Sequence, residues 1–412
     1  MNVLTETRLG KFLSKLNFDS SNALQNEAFD ALRNMDFPTT RDEYWKYTRL
    51  NKIANADLTV SSGILDFARL SEDIKSYIVS DQYIVIENGI YREDLSQFDN
   101  NKYDVQISQD LESTSANFAD IFQTINTAFV KETIHIDIPK NTIWEKPVQI
   151  IYINSGEGIM TNTSLVITAD TSTKANIITT FIEGQSGNLS NHYTEVSVSD
   201  NANITLDKIQ IGNGWYIATE NVTQQANSTF KINTVTLSGD IVRNNLNIEV
   251  EGENCETYLN GAVITKGQQL VDNHSFVNHL VSNCMSDENY KYVLDDKSTG
   301  VFNGRVVVQQ DAQKINAYQQ NGNILLSDFA KINSKPELEI YADDVKCSHG
   351  STTGQLDEDA LFYLQTRGLS KDKARKLLVS AFTGEVFNAI DDENLSALIL
   401  KVLEEKFDWT TD

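Results

Sequence analysis

The spacing of apolar residues changes twice along the chain. Up to about residue 60, Leu9, Phe12, Leu13 and Leu16 recur at intervals of three and four, and Ala23, Leu24, Phe29 and Leu32 repeat the habit. That period predicts short amphipathic helices. Pro38, Thr39 and Thr40 interrupt it, and Asp42-Glu43 open a further turn, where acidic residues favour a helix N-terminus. From about residue 80 to 345 the period becomes two, in runs such as YIVIENGIY, TIHIDIP, VQIIYIN, SLVITAD, ITLDKIQIG, FKINTVTLSG, LNIEVEG and RVVVQQD. These predict short strands bounded by Gly, Asn, Asp and Ser. Only Pro139, Pro147 and Pro336 fall in this zone, so its ladders can run uninterrupted. Beyond about residue 350 the helical period returns. Asp357 is the expected N-cap ahead of ALFYLQTR, Gly368 its left-handed stop, and Ser370 the cap of KDKARKLLVSAFTGEVFNAI. On that helix Leu377, Leu378, Ala381, Phe382, Val386, Phe387 and Ile390 form a wide apolar stripe, and LSALILKVLEEKF follows as a last helix. The expected organisation is an N-terminal helical part (1–80), a β core (81–350) and a C-terminal helical part (351–412).

The β core carries a weak internal repeat. After a polar corner, a small residue followed by Asn starts the next strand in KANIITT at Ala175, NANITLD at Ala202 and QANSTFK at Ala226, with NCETYLNG at Cys255 where a fourth corner would fall. Each repeat holds two or three short strands, too little to bury a face alone. Stacking such coils with the small residue inward would bury a continuous core, the logic of a solenoid. A β-sandwich also has strands at short spacing. The β-helix is preferred because the pattern needs no Greek-key crossovers.

Composition narrows the picture further. Of 412 residues, 40% are hydrophobic, which is ample for a sizeable core. A formal net charge of −24 repels phosphate backbones and anionic lipid, so neither nucleic acid nor membrane is the expected partner. MNVLTETRLGKFLSKL has no continuous apolar core and no small-residue cleavage site, so it reads as no secretory signal. No stretch approaches the ~20 apolar residues of a membrane span. Three scattered cysteines, Cys255, Cys284 and Cys347, without a C-x-x-C pair fit a reducing, cytoplasmic setting and no zinc-ribbon site.

Two segments resemble a known family. DEYWKYTRL, Asp42 to Leu50, is similar to the Glu-x-Trp-[Lys/Arg]-Tyr-Thr motif of SufD proteins, subunits of the SUF iron–sulfur cluster assembly system. ADDVKCSHGSTTGQLDEDALFYLQTRGLSKDKARKLLVSAF, Ala342 to Phe382, resembles the SufD C-terminal block nearly position for position. The preceding VFNGRVVVQQDAQKINAYQQNGNILLSDFAKINSKPELEI, with Gln319-Gln320-Asn321 and Leu325-Leu326-Ser327, is similar as well. The paralogous SufB subunits carry Cys where this chain has Leu364, and Glu-His-Glu where it has Ser348-His349-Gly350. Ser351 stands where SufD sequences more often have Ala. The resemblance implies a right-handed parallel β-helix core flanked by N-terminal and C-terminal helical domains. It also implies pairing with SufB through the β-helix edges and with the SufC ATPase through the C-terminal helices, which makes Leu377, Leu378, Phe382, Val386 and Phe387 candidate docking residues. A homodimer of the chain alone stays open.

Cys347 and His349 are the one Cys/His pair close in sequence. Residues two apart on a strand face the same side, and thiolate and imidazole suit iron and iron–sulfur centres. Two donors complete no tetrahedral site, and a loop Cys and His that merely pack give the same pattern. The resemblance implies a nascent cluster at the SufB–SufD interface with His349 as a ligand; the cluster would be transient and shared with SufB, and nothing tightly bound is expected in the isolated chain. Cys255 and Cys284 read as small buried hydrophobes. His274 and His279, five apart, should face opposite ways, and His135 and His192 should lie at the surface. Asp343-Asp344 and Asp357-Glu358-Asp359 sit at turns or helix starts, where carboxylates are structurally favoured. No G-x-x-x-x-G-K-[ST], G-x-S-x-G or H-E-x-x-H occurs. The expected function is therefore a non-catalytic scaffold. The alternatives are a β-helix carbohydrate lyase or hydrolase using groove carboxylates, and a SufB-like subunit with its own flavin, which Leu364 disfavours.

Overall fold

The structure, a computed structural model, describes residues 7–60, 74–109, 118–184 and 186–407. Residues 1–6, 61–73 and 408–412 of the expected helical parts lie outside the described residues. Two ten-stranded sheets run side by side, and the chain alternates between them. Sheet one holds β1 (Thr59–Val60), β4 (Asp104–Ser108), β5 (Thr133–Ile138), β7 (Ile159–Ala169), β9 (Leu189–Val198) and β11 (Trp215–Gln224). It continues with β13 (Ile241–Val250), β15 (Leu270–His279), β17 (Thr299–Val308) and β19 (Lys331–Ile340). Sheet two holds β2 (Tyr83–Glu87), β3 (Ile90–Tyr91), β6 (Val148–Asn154), β8 (Lys174–Glu183) and β10 (Asn203–Gly212). Its remaining strands are β12 (Thr229–Thr236), β14 (Glu256–Thr265), β16 (Met285–Leu294), β18 (Ile315–Leu325) and β20 (Val345–Gly354). From β5 onward neighbours pair in parallel, as do β2–β6 and β1–β7. This is a parallel β-solenoid with one strand of each coil in each sheet, not a sandwich.

Each coil turns on one backbone feature. Ser172, Asn201, Asn227, Asn254, Asn283 and Lys314 all have φ between 56° and 63°. Asn tolerates this left-handed region better than most side chains because its short amide can bond locally. The residue after each is buried: Thr173, Ala202, Ser228, Cys255, Cys284 and Ile315. In four of the six corners the frame is Asn followed by Ala, Ser or Cys. Ala202 and Cys255 occupy the corner as the sequence suggested. Ala175 and Ala226 do not: Ala175 lies two positions into β8, and Ala226 is half-buried one position before the left-handed Asn227.

Alternation along the strands separates two environments. One face fills the lumen with Ile177, Val196, Ile204, Phe230, Ile248, Tyr292 and Phe302 among others. The lumen also holds a polar seam. Lys208 Nζ lies 2.6 Å from Glu220 Oε1 and donates to Asn244 Oδ1; Asn273 donates to the Tyr292 hydroxyl, which donates to Val301 O. Desolvating both charges offsets most of their attraction, so an ion pair this buried adds little net stability. Outside sheet one, α1 (Arg8–Leu13), α2 (Ala23–Leu32), α3 (Asn51–Asn55) and α4 (Ile121–Phe129) pack Phe12, Leu32, Ile53 and Phe122 onto Met160, Leu189, Trp215 and Ile241. Helix α4 stands within the zone whose period predicts strands. Its IFQTINTAF run is capped by Asp120, which accepts from Gln123 N. Outside sheet two lie α5 (Glu358–Thr366), α6 (Lys371–Phe387) and α7 (Glu393–Phe407). Asp357 and Ser370 cap α5 and α6 as expected, and Gly368 takes φ +95° between them.

Candidate functional site

The two ends of the solenoid differ. At the first coils the outermost strands are the two-residue β3 and the five-residue β4, both antiparallel to their neighbours. At the last coil β19 and β20, ten residues each, stop with nothing paired beyond them among the described residues. The C-terminal helices do not close this end. They cover the outer face of sheet two, where Ile178, Ile209, Val235, Ile264 and Val293 meet Val379, Ile390, Leu395, Ile399 and Leu403.

Cys347 and His349 both sit on β20, so the open end carries them. Register fixes their direction: Cys347 pairs with Ala317 and His349 with Gln319 on β18. Ala317 and Gln319 are both buried, so this face of the sheet looks into the lumen. Cys347 packs against the lumen core, half-buried, and burial pushes its thiol up. His349 is exposed at the mouth. Beside it, Ser351 and Ser334 of β19 share a 2.8 Å hydrogen bond across the lumen, and Ser351 donates to Asn321 Oδ1. The sequence's i, i+2 reading thus places both donors on one side of one strand. Among the described residues no third His, Cys, Asp or Glu joins them in a group able to hold a metal.

The expected docking stripe needs correction. Val386 is fully buried, Phe382 and Phe387 pack against the cluster on sheet two, and Leu378 is half-buried; of the five docking candidates only Leu377, 51% exposed, faces outward, beside the exposed Ala381. The reason is that the outer face of sheet two is itself apolar and consumes the stripe. Among the described residues, the large apolar side chains left outward on the C-terminal helices are Phe362 and Tyr363 on α5, Leu377 on α6 and Leu400 on α7.

The remaining candidates fall into place around the core. Cys255 and Cys284 are buried at successive corners. His274 and His279 lie on opposite faces of β15 as their spacing required, His279 fully inside. His192 is not at the surface. It is buried against the Tyr152 and Phe181 rings and bonded to Thr163 and Thr194, and burial with nearby Lys208 lowers its pKa to about 3. Its polar strand, LSNHYTEV, hid an inward position. His135 is half-buried on β5. The DEYWKYTRL segment lies on the outer face of sheet one. There the Arg243 guanidinium stacks 4.5 Å from the Trp45 ring and bonds Asp272, Thr48 also bonds Asp272, and Arg305 donates to the Tyr44 hydroxyl. This motif anchors the N-terminal part to the solenoid.

With this geometry in hand, comparison with known proteins identifies the class. Residues 151–382 match the family described as SUF system FeS cluster assembly, SufBD core domain, and residues 7–150 match the SufBD protein N-terminal region. The chain belongs to the SufBD family. It is 29% identical over 393 residues to the iron–sulfur cluster assembly SufBD family protein slr0076 of Synechocystis, covering 88% of this chain and 86% of that one. It is 28% identical over 375 residues to the iron–sulfur cluster assembly protein SufD of Escherichia coli, covering 88% of each. The SufD of Bacillus subtilis is 25% identical over 429 residues, covering 93% of this chain and 94% of the relative. The SufD resemblance drawn from Ala342–Phe382 is borne out. No helix among the described residues is long and apolar enough to cross a membrane.

Proposed function

We propose that this chain is a non-catalytic scaffold subunit for iron–sulfur cluster assembly, pairing edge to edge with a SufB-type subunit at the open end of the solenoid. The observation that carries the proposal is the placement of Cys347 and His349 on an unpaired ten-residue edge strand, in a family whose named role is cluster assembly. An unpaired edge offers a row of free N–H and C=O groups that recruits another strand. Pairing there would bring a partner's donors beside Cys347 and His349. Those two would then be part of the ligand set for iron or a nascent cluster, which is cargo shared between the chains rather than a resident group. The second contact is the outward side of the C-terminal helices, where Phe362, Tyr363 and Leu377 would receive a SufC-type ATPase. ATP hydrolysis belongs to that partner, since this sequence has no phosphate-binding loop.

Co-expression with SufB- and SufC-type proteins from the same host, anaerobic purification through a tag on this chain, and light scattering test the proposal. A discrete heteromer of all three chains is the expected result. His349→Ala should then abolish iron loading without changing the mass. A chain that purifies alone, at one or two copies, would overturn the pairing.

A further inference from the structure

Two side chains line up beneath His349 along the solenoid axis. Glu288 on β16, Gln319 on β18 and His349 on β20 occupy one register column, so successive members are one strand spacing apart and face the same way. Glu288 and Gln319 are each 1% exposed. The carboxylate of Glu288 accepts from the Ser275 hydroxyl through Oε1, and from Gln319 Nε2 at 2.9 Å through Oε2. Gly304 makes the room. A Cβ there would come 2.7 Å from Glu288 Oε2 and 2.8 Å from Gln319 Nε2. With the Gln319 amide nitrogen committed to Glu288, its oxygen Oε1 is left buried and without a hydrogen-bond partner. A buried acceptor with no donor is costly, and such an orphan asks for a partner. The one column member beyond it is His349, whose ring carries an N–H in every neutral tautomer.

We infer that Gln319, held by Glu288, is a positioning residue for His349, its orphan amide oxygen taking one imidazole N–H so that the other ring nitrogen is presented at the mouth. In this arrangement a hydrogen-bonded chain crosses the lumen from Ser275 to Glu288 and then runs along the solenoid axis through Gln319 to the imidazole. It does for His349 what a carboxylate or carbonyl behind a metal-binding histidine does elsewhere, fixing tautomer and ring orientation before any metal arrives. The consequence for iron rests on reading His349 as a donor; the hydrogen bond does not.

Ring-15N-labelled histidine in the isolated full chain, at mildly alkaline pH, lets two-bond 1H–15N correlations show which ring nitrogen holds the proton. The His349 signals are assigned by their loss in His349→Ala. A single tautomer is expected for the unaltered chain, relaxing to the mixture of a free imidazole in Gln319→Met. Glu288→Gln, which keeps an acceptor for the Gln319 amide, should retain the single tautomer, and Glu288→Met should lose it. A His349 tautomer mixture in the unaltered chain, unchanged in Gln319→Met, would overturn the inference without reference to any variant's stability. In the purified heteromer, Gln319→Met should weaken anaerobic ferrous iron binding about 10- to 100-fold. If His349→Ala leaves that binding untouched, the ligand reading fails while the tautomer result still decides the hydrogen bond.

Discussion

The solenoid begins and ends in opposite ways. Its first sheets finish in the short antiparallel strands β3 and β4, an arrangement that leaves little edge for another chain to join. Its last coil leaves β19 and β20 without a further strand among the described residues, and the two are not alike. β19, KINSKPELEI, carries Lys331, Lys335, Glu337 and Glu339 together with Pro336, which has no amide hydrogen to give a ladder. β20, VKCSHGSTTG, holds Ser, Thr and Gly with a single Lys346. Charge and proline blunt one edge, while the other is left fit to pair. The strand left fit to pair is the one that carries Cys347 and His349, so the asymmetry links pairing to chemistry.

That contrast can be tested by perturbing each region in turn. The largest effect should come from the side covering, away from both ends: Leu395→Ala and Ile399→Ala each remove a buried side chain and should cost about 2–5 kcal/mol in denaturant unfolding. A stability loss with the heteromer still forming would separate the covering helices from the pairing edge. Next comes acid. His192 is held neutral, with a folded pKa of about 3 against an ordinary 6.5. Protons therefore favour the unfolded chain, and stability falls as pH drops below 6.5, by on the order of 4 kcal/mol by pH 3. His192→Phe should flatten that part of the pH–stability curve. Glu288 gives the opposite sign. Burial raises its pKa to about 7 from 4.5, so its ionisation costs stability as pH rises through that window. The difference between Glu288→Gln and the unaltered chain should grow from pH 4.5 to 7 and then level off in thermal melts. The smallest stability effect is expected at the bare edge. Ser348→Lys with Thr352→Lys, both exposed, should shift unfolding by no more than about 0.5 kcal/mol, yet remove the heteromer peak in light scattering. A heteromer that survives would move the contact elsewhere.

Much of this was legible in the chain. Period two from about residue 80 and the capping residues Asp357, Gly368 and Ser370 placed the β core and the last helices, because backbone geometry dictates those residue types directly. The corner was found but misframed: Ala-Asn and Asn-Ala look alike in NANIT, and only φ shows that Asn makes the turn. Helix α4 was missed although Ile121, Phe122, Ile125, Ala128 and Phe129 hold helical spacing, because nine residues are a short window inside a long zone of period two. His192 was misplaced for a similar reason, since its neighbours are polar yet face a lumen that itself contains polar pairs. Cys347 and His349 were visible as a local pair. Gln319 and Glu288 were not, because what relates them to His349 is coil register, and residues some thirty positions apart share no local signal.

The left-handed corners carry one more consequence. Because each coil closes on the same backbone turn and touches only its neighbours, the length of the solenoid is a count of coils, like the graduations of a ruler. A tandem copy of Cys255–Asn283, one corner to the next, would be expected to carry the open mouth outward by one graduation, about 4.8 Å, with β19 and β20 unaltered. The distance between the pairing edge and the N-terminal anchor at Trp45 is thus a property the gene can set in whole steps.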